Sequence, residues 1–247
     1  MLSAFLIAVR TLTRIPTPEP RRRMDAPMLA WSAAFYPLVG ALLGLAAWGL
    51  YAALSAVLPQ SILMLLVLAL WAVVTGGLHE DGLADAADAF GSQTTREGIH
   101  RVLKDSHVGT YGVLALILSM ALRWQGLAHM PAAALPAALL ASQVLPRAGI
   151  VTVAYVAGPA TPGSGGAVAK SLRGAQVATG WVLALLLVVP FGWQLALLAG
   201  AITLVVATLC QAYFHRKIGG VTGDCLGAAN QLQEIAVVLG LLLWATW

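Results

Sequence analysis

Leu195-Ala196-Leu197-Leu198-Ala199-Gly200-Ala201-Ile202-Thr203-Leu204-Val205-Val206-Ala207-Thr208-Leu209-Cys210 is the middle of a run, 194–213, that contains no Asp, Glu, Lys, Arg or His. About 20 such residues wound as a helix cross a bilayer once. Comparable runs lie at 31–57, 61–78, 109–129, 132–157, 176–189 and 226–246. All are rich in Leu, Ala and Val and lack the polar–apolar alternation of barrel strands, so they predict helices. The run 176–189 is short for a full crossing, which implies a tilted or re-entrant path. The expected fold class is all-α: a polytopic transmembrane helical bundle of six or seven spans, one domain over 1–247.

Composition agrees. Of 247 residues, 60% are hydrophobic and 10% charged, and the mean hydropathy is +0.84. These values exclude a lone soluble domain, a disordered chain and a disulfide scaffold. Cys210 and Cys225 are isolated and read as free thiols. The formal net charge of +4 does not imply nucleic acid, because the basic residues form no soluble basic face. The bilayer is the expected partner.

The connections fall into two kinds. Those near 58–60, 130–131 and 190–193 are short and uncharged and carry Pro59, Pro131 and Pro190. The others hold the charge: Arg10, Arg14, Arg21, Arg22 and Arg23; Arg96, Arg101 and Lys104; Lys170 and Arg173; Arg216 and Lys217. The two kinds alternate, so threading the spans puts every charged connection on one face, which the positive-inside rule makes cytoplasmic. Residues 1–30 read as a cytoplasmic or interfacial segment, since Arg10 and Arg14 interrupt its apolar start and no cleavage site follows. Only Arg123 and Arg147 fall inside apolar runs. Arg123, near the outer end of its run, is expected to snorkel. Arg147, in the inner half, is expected to face a phosphate or carboxylate, or Glu234 as a structural partner.

Four of the ten acidic residues fall within 80–88, in His79-Glu80-Asp81-Gly82-Leu83-Ala84-Asp85-Ala86-Ala87-Asp88. On a helix, Asp81, Asp85 and Asp88 form one stripe, with Glu80 to one side. Like charges at i,i+4 cost about 0.2–0.5 kcal/mol per pair on an exposed helix and more where water is scarce. Such a stripe needs a counter-cation. All-oxygen ligands indicate a hard ion, Mg²⁺ when substrate phosphates complete the shell, with Mn²⁺ also admissible. Acids at a helix N-terminus are the plainer explanation, but the macrodipole accounts for Glu80 and Asp81 only.

The segment 79–108 thus reads as an acidic active-site loop and helix. Within it, Arg96, Arg101 and Lys104 are candidates for holding phosphate oxygens, against plain juxtamembrane charge, and His79 for a base or a group behind the acids, against a histidine merely at the membrane–water boundary. A second polar locus, Gly219-Gly220-Val221-Thr222-Gly223-Asp224 followed by Asn230, Gln231 and Glu234, interrupts the last apolar run. Ionisable groups in a span mark function by default. The alternative makes Asp224 a helix cap and the amides interhelical glue. The glycines of 159–166 read as a flexible loop able to close over a substrate.

Gly76-Gly77-Leu78-His79-Glu80-Asp81-Gly82-Leu83-Ala84-Asp85-Ala86-Ala87-Asp88 resembles the signature of the cobalamin synthase (adenosylcobinamide-GDP ribazoletransferase) family. Arg14-Ile15-Pro16, Lys104-Asp105-Ser106 through Gly112, and Thr222-Gly223-Asp224 through Gly227-Ala228 extend the resemblance over nearly the whole chain. Two departures stand out. His107 occupies a position where a larger basic residue such as Arg is expected, and Ala89-Phe90-Gly91-Ser92 lacks part of a glycine pair.

The resemblance implies a Mg²⁺-dependent transferase of the bacterial inner membrane, its active site facing the cytoplasm. It would join adenosylcobinamide-GDP to α-ribazole or α-ribazole 5′-phosphate and release GMP, among the last steps of cobalamin biosynthesis. Such attack on a diphosphate is mostly positioning and charge neutralisation. Asp81, Asp85 and Asp88, with Glu80, are then the expected Mg²⁺ ligands. Asp224 is expected to complete the metal site or to act as base, with Asp105 and His79 as rivals. Arg101, Lys104, Asp105, Arg147, Asn230 and Glu234 are the expected substrate-binding residues. A homo-oligomer, or a complex with other corrinoid-pathway enzymes, is compatible with this reading. Two other readings compete. A CDP-alcohol phosphotransferase-like lipid synthase also displays aspartates after an Asp-Gly pair, but its Ala-Arg continuation is missing here. A transporter or binding subunit would use Arg147, Asp224 and Glu234 as a pathway, yet most of the acids lie at the rim.

Overall fold

The computed structural model describes residues 1–18, 25–160 and 164–246. Twelve α-helices follow one another along these residues. In chain order they are α1 (Leu2–Leu12), α2 (Ala26–Ala34), α3 (Tyr36–Leu54), α4 (Gln60–Thr75), α5 (Leu78–Ser92) and α6 (Arg96–Val102). Then come α7 (Thr110–Ala128), α8 (Leu135–Ala157), α9 (Ser164–Ser171), α10 (Gly174–Val188), α11 (Trp193–Ile218) and α12 (Gly223–Thr246). Six stretches are long and apolar enough to cross a membrane: Ala26–Leu54, which joins α2 to α3, then α7, α8, Gly174–Phe191, α11 and α12. With the bent pair α4–α5 counted as one more, there are seven. The run 176–189 proves long enough once a 3-10 turn at Val189–Phe191 is added to α10.

The run 61–78 is not one straight helix. α4 and α5 meet at an angle of 89°. Gly76 and Gly77 make the bend, with φ of 71° and 70°. A left-handed backbone costs a residue with a Cβ about 1–2 kcal/mol, so a glycine pair is the natural hinge. The Gly77 amide donates to the Ala72 carbonyl at 2.8 Å, closing the end of α4. Arg14, just beyond α1, donates its amide to Val74 at 2.7 Å and lays its side chain over Gly76.

α8 is the central helix. Buried residues make up 94% of its most apolar window, against 22–56% in the other candidate spans. α3 reaches it closely because Gly40 and Gly44 face the α8 backbone at Gln143 and Leu140. Leu42, Leu45, Ile117, Leu118, Val205, Leu209 and Leu243 stay exposed on α3, α7, α11 and α12, as lipid-facing side chains do.

The two ends of the bundle differ as the charge pattern requires. At one end Gln60 Nε2 donates to the carbonyls of Leu127 and Met130 at 2.9 and 2.8 Å, tying two uncharged turns together. At the other end the Ala160 amide donates to Val221 O at 3.0 Å and the Val221 amide to Gly158 O at 2.9 Å. There the Arg96 guanidinium fills the space a Cβ on Gly219 would need. Three charged connections therefore gather at one end. Arg21, Arg22 and Arg23 lie outside the described residues, as does part of the loop 159–166.

Candidate functional site

α5 lies in the groove between α7 and α12. Glu80 meets Arg123 of α7 and Gln231 of α12, while Asp88 meets Gly109 and Gly112 at the start of α7. Gly82 faces Asp224 and Gly227. Residue numbers rise along α5 as they fall along both neighbours, so α5 is antiparallel to each. The two helices pass closely at their glycines: a Cβ on Gly82 would stand 2.9 Å from Asp224 O and 3.1 Å from Gly227 Cα. Only glycine permits this crossing, and the crossing sets the α5 acids beside Asp224.

That placement divides the acid stripe. Asp81 and Asp224 line a cavity of ≈ 540 Å³. Asp85 is within electrostatic reach of Asp81, Asp224 and Asp88. Asp81 is exposed, and Asp85 and Asp224 are half-buried. Thr222 Oγ1 donates to Asp224 Oδ2 at 3.3 Å. Among the described residues no three His, Cys, Asp or Glu side chains already form a closed ion site. Mg²⁺ ordinarily keeps several waters and takes one or two carboxylates plus substrate phosphates. A half-exposed, open set of carboxylates fits that mode, not an all-protein cage.

Asp88 has other work. Its Oδ2 accepts from the Gly109 amide at 2.7 Å and its Oδ1 from the Gly112 amide at 2.9 Å. The first amides of a helix lack intrahelical partners and favour a negative charge, so Asp88 caps α7 from a neighbouring helix. Asp88→Asn, which turns an amine toward one of those donors, is expected to cost about 1–3 kcal/mol. Thermal unfolding in detergent measures that loss, and a melting temperature equal to the parent's would contradict the cap.

Glu80 turns away from the cavity into a buried ionic network. Its Oε1 accepts from Arg123 Nη2 at 3.2 Å and Gln231 Nε2 at 3.1 Å. Arg123 Nη1 donates to Glu234 Oε2 at 2.9 Å, and Arg147 Nη1 stands 3.5 Å from Glu234 Oε1. Arg147 Nη1 also donates to Gln143 O and Oε1 at 2.6 and 3.1 Å. The expectation that Arg123 snorkels is overturned. Only 2% exposed, it points inward because two carboxylates await it there. Arg147, Asn230 and Glu234, expected at the substrate, hold one another instead of lining the cavity.

Asn230 also fixes a tautomer. Its Nδ2 donates to Glu234 Oε1 at 2.7 Å, so it is the amine that lies 3.0 Å from His79 Nδ1. His79 Nδ1 therefore accepts, and the ring proton sits on Nε2. The nitrogen that would take up a proton is already engaged.

Arg101 and Lys104 are exposed at the end of α6 and in the turn after it, as is Asp105. Asp105 Oδ1 accepts from the His107 amide at 3.0 Å and pairs with His107 Nδ1 at 2.6 Å. These bonds hold the Asp105 carboxyl below its usual range. Sequence reasoning missed Gln143 and Ser119, whose hydroxyl donates to Gln231 Oε1 at 3.0 Å. It also misjudged Arg123, although a charge inside a span was the available signal.

Comparison with known proteins gives a consistent result. The family model described as cobalamin-5-phosphate synthase matches residues 4–242. A curated adenosylcobinamide-GDP ribazoletransferase of Shewanella piezotolerans is 34% identical, covering 100% of this chain and 97% of its own. That of Ralstonia nicotianae is 34% identical over 97% of this chain and 95% of its own. The Bradyrhizobium diazoefficiens protein of the same name is 39% identical over 97% and 93%. No solved structure matches.

Proposed function

The chain belongs to the cobalamin-5-phosphate synthase family, and from that premise we propose that it acts as an adenosylcobinamide-GDP ribazoletransferase. It joins adenosylcobinamide-GDP to α-ribazole or α-ribazole 5′-phosphate. A ribazole hydroxyl oxygen bonds to the phosphorus nearest the cobinamide, the bond from that phosphorus to the bridging oxygen breaks, and GMP leaves with the electron pair. The product is adenosylcobalamin or its 5′-phosphate.

The observation that carries this reading is the Gly82–Gly227 crossing, which brings carboxylates of two helices to one cavity. Asp81 and Asp85 are the residues that would hold Mg²⁺. When bound, the ion would neutralise charge on the diphosphate and on the departing GMP. Asp224 takes the proton of the attacking hydroxyl, since Asp105 is tied to His107 and His79 Nδ1 to Asn230. Arg101 and Lys104, exposed at the same end, meet phosphate oxygens of the incoming nucleotide. The positive connections gathered at this end support a cytoplasm-facing site in the inner membrane.

The test is GMP release from purified protein in phospholipid vesicles, with adenosylcobinamide-GDP and α-ribazole supplied singly and together. Release only with both substrates and Mg²⁺ is expected. Turnover of CDP-diacylglycerol in its place would transfer the site to the lipid synthases.

A further inference from the structure

The cavity is apolar on its α8–α9 side, with Ile150, Ala154 and Val168, while α5 and α12 contribute Asp81, His79 and Asp224 and α1 contributes Arg10 and Thr11. Its volume of ≈ 540 Å³ lies in the range of about 300–1,000 Å³ that encloses one small organic ligand. A corrin macrocycle carrying a nucleotide is too large for this space. α-Ribazole has both required parts: a flat apolar benzimidazole and a ribose whose hydroxyl must reach the carboxylates.

We infer that this cavity is the α-ribazole site, with the benzimidazole against α8 and α9 and the ribose toward Asp81 and Asp224. The inference rests on the transferase reading above and deepens it. The nucleophile enters the half-open cavity, and the corrinoid nucleotide approaches from outside it, toward the exposed Arg101 and Lys104 of the charged connection after α5. Burying one substrate and leaving the other at the surface also accounts for a site small beside the reaction it serves.

Filling the apolar half separates the two substrates. Ala154 is 1% exposed on the α8 wall, and Ala167, also lining the cavity, is exposed on α9. Ala154→Phe occupies the buried wall, and Ala167→Trp occupies the mouth at a position where the fold is not at stake. Steady-state GMP release in vesicles, varying each substrate in turn, is expected to show the KM for α-ribazole raised about tenfold or more. The KM for adenosylcobinamide-GDP should stay within about twofold of the parent. An unchanged ribazole KM in folded Ala167→Trp, or a rise confined to the corrinoid KM, overturns the inference. Failure of the parent protein to release GMP would instead remove the transferase reading, so the two outcomes are distinct.

Discussion

Glu234→Ala is expected to cost about 3–5 kcal/mol, a large share of the about 5–15 kcal/mol by which a folded protein is stable. Glu234 is buried, accepts from Arg123 at 2.9 Å and Asn230 at 2.7 Å, and stands 3.5 Å from Arg147. Two guanidiniums and two carboxylates balance there, and removing one carboxylate strands a positive charge where water cannot follow. Glu234→Gln keeps the volume and one acceptor, and its loss should fall between parent and alanine. Thermal unfolding of purified protein in detergent, followed by circular dichroism, reads both. Equal melting of all three proteins would mean that the network contributes nothing to the bundle. The network has a functional consequence as well. Through Glu80 it pins the start of α5 between α7 and α12, and so fixes the direction in which Asp81 and Asp85 emerge.

Gly82→Leu is expected to lower kcat about 100-fold, since misplacing reacting groups by about 1 Å has that effect. A Cβ at Gly82 would already press on Asp224 O at 2.9 Å, and the rest of the leucine has no room before Gly227. The helices must part, carrying Asp81 and Asp85 away from Asp224. Overpacking of this kind costs about 1–3 kcal/mol, less than the Glu234 loss, so folded protein remains to be assayed. Measured kcat beside the melting temperature separates the two effects. A normal rate in folded Gly82→Leu would show that the crossing does not set the carboxylate geometry.

The spans were legible because each is a long apolar run, and the acid stripe because three aspartates at i, i+4 and i+7 are costly without a purpose. Asp224 was legible for the same reason. The destination of Arg123 was not. Its position near one end of α7 is compatible with snorkelling, and its partner Glu80 arrives only because Gly76 and Gly77 turn α5 back along α7. The role of Asp88 was hidden similarly: its helical spacing matches Asp81 and Asp85, but the amides of Gly109 and Gly112 claim it from another helix. Helical periodicity states which residues share a face and is silent about which neighbour that face meets.

Asp81→Asn and Asp85→Asn, assayed for GMP release across a Mg²⁺ titration, test the central claim most directly. The account predicts turnover lowered about 100-fold or more in each, with saturation displaced to higher Mg²⁺ and folding unchanged. Near-parental turnover in both proteins at the parental Mg²⁺ requirement would contradict it.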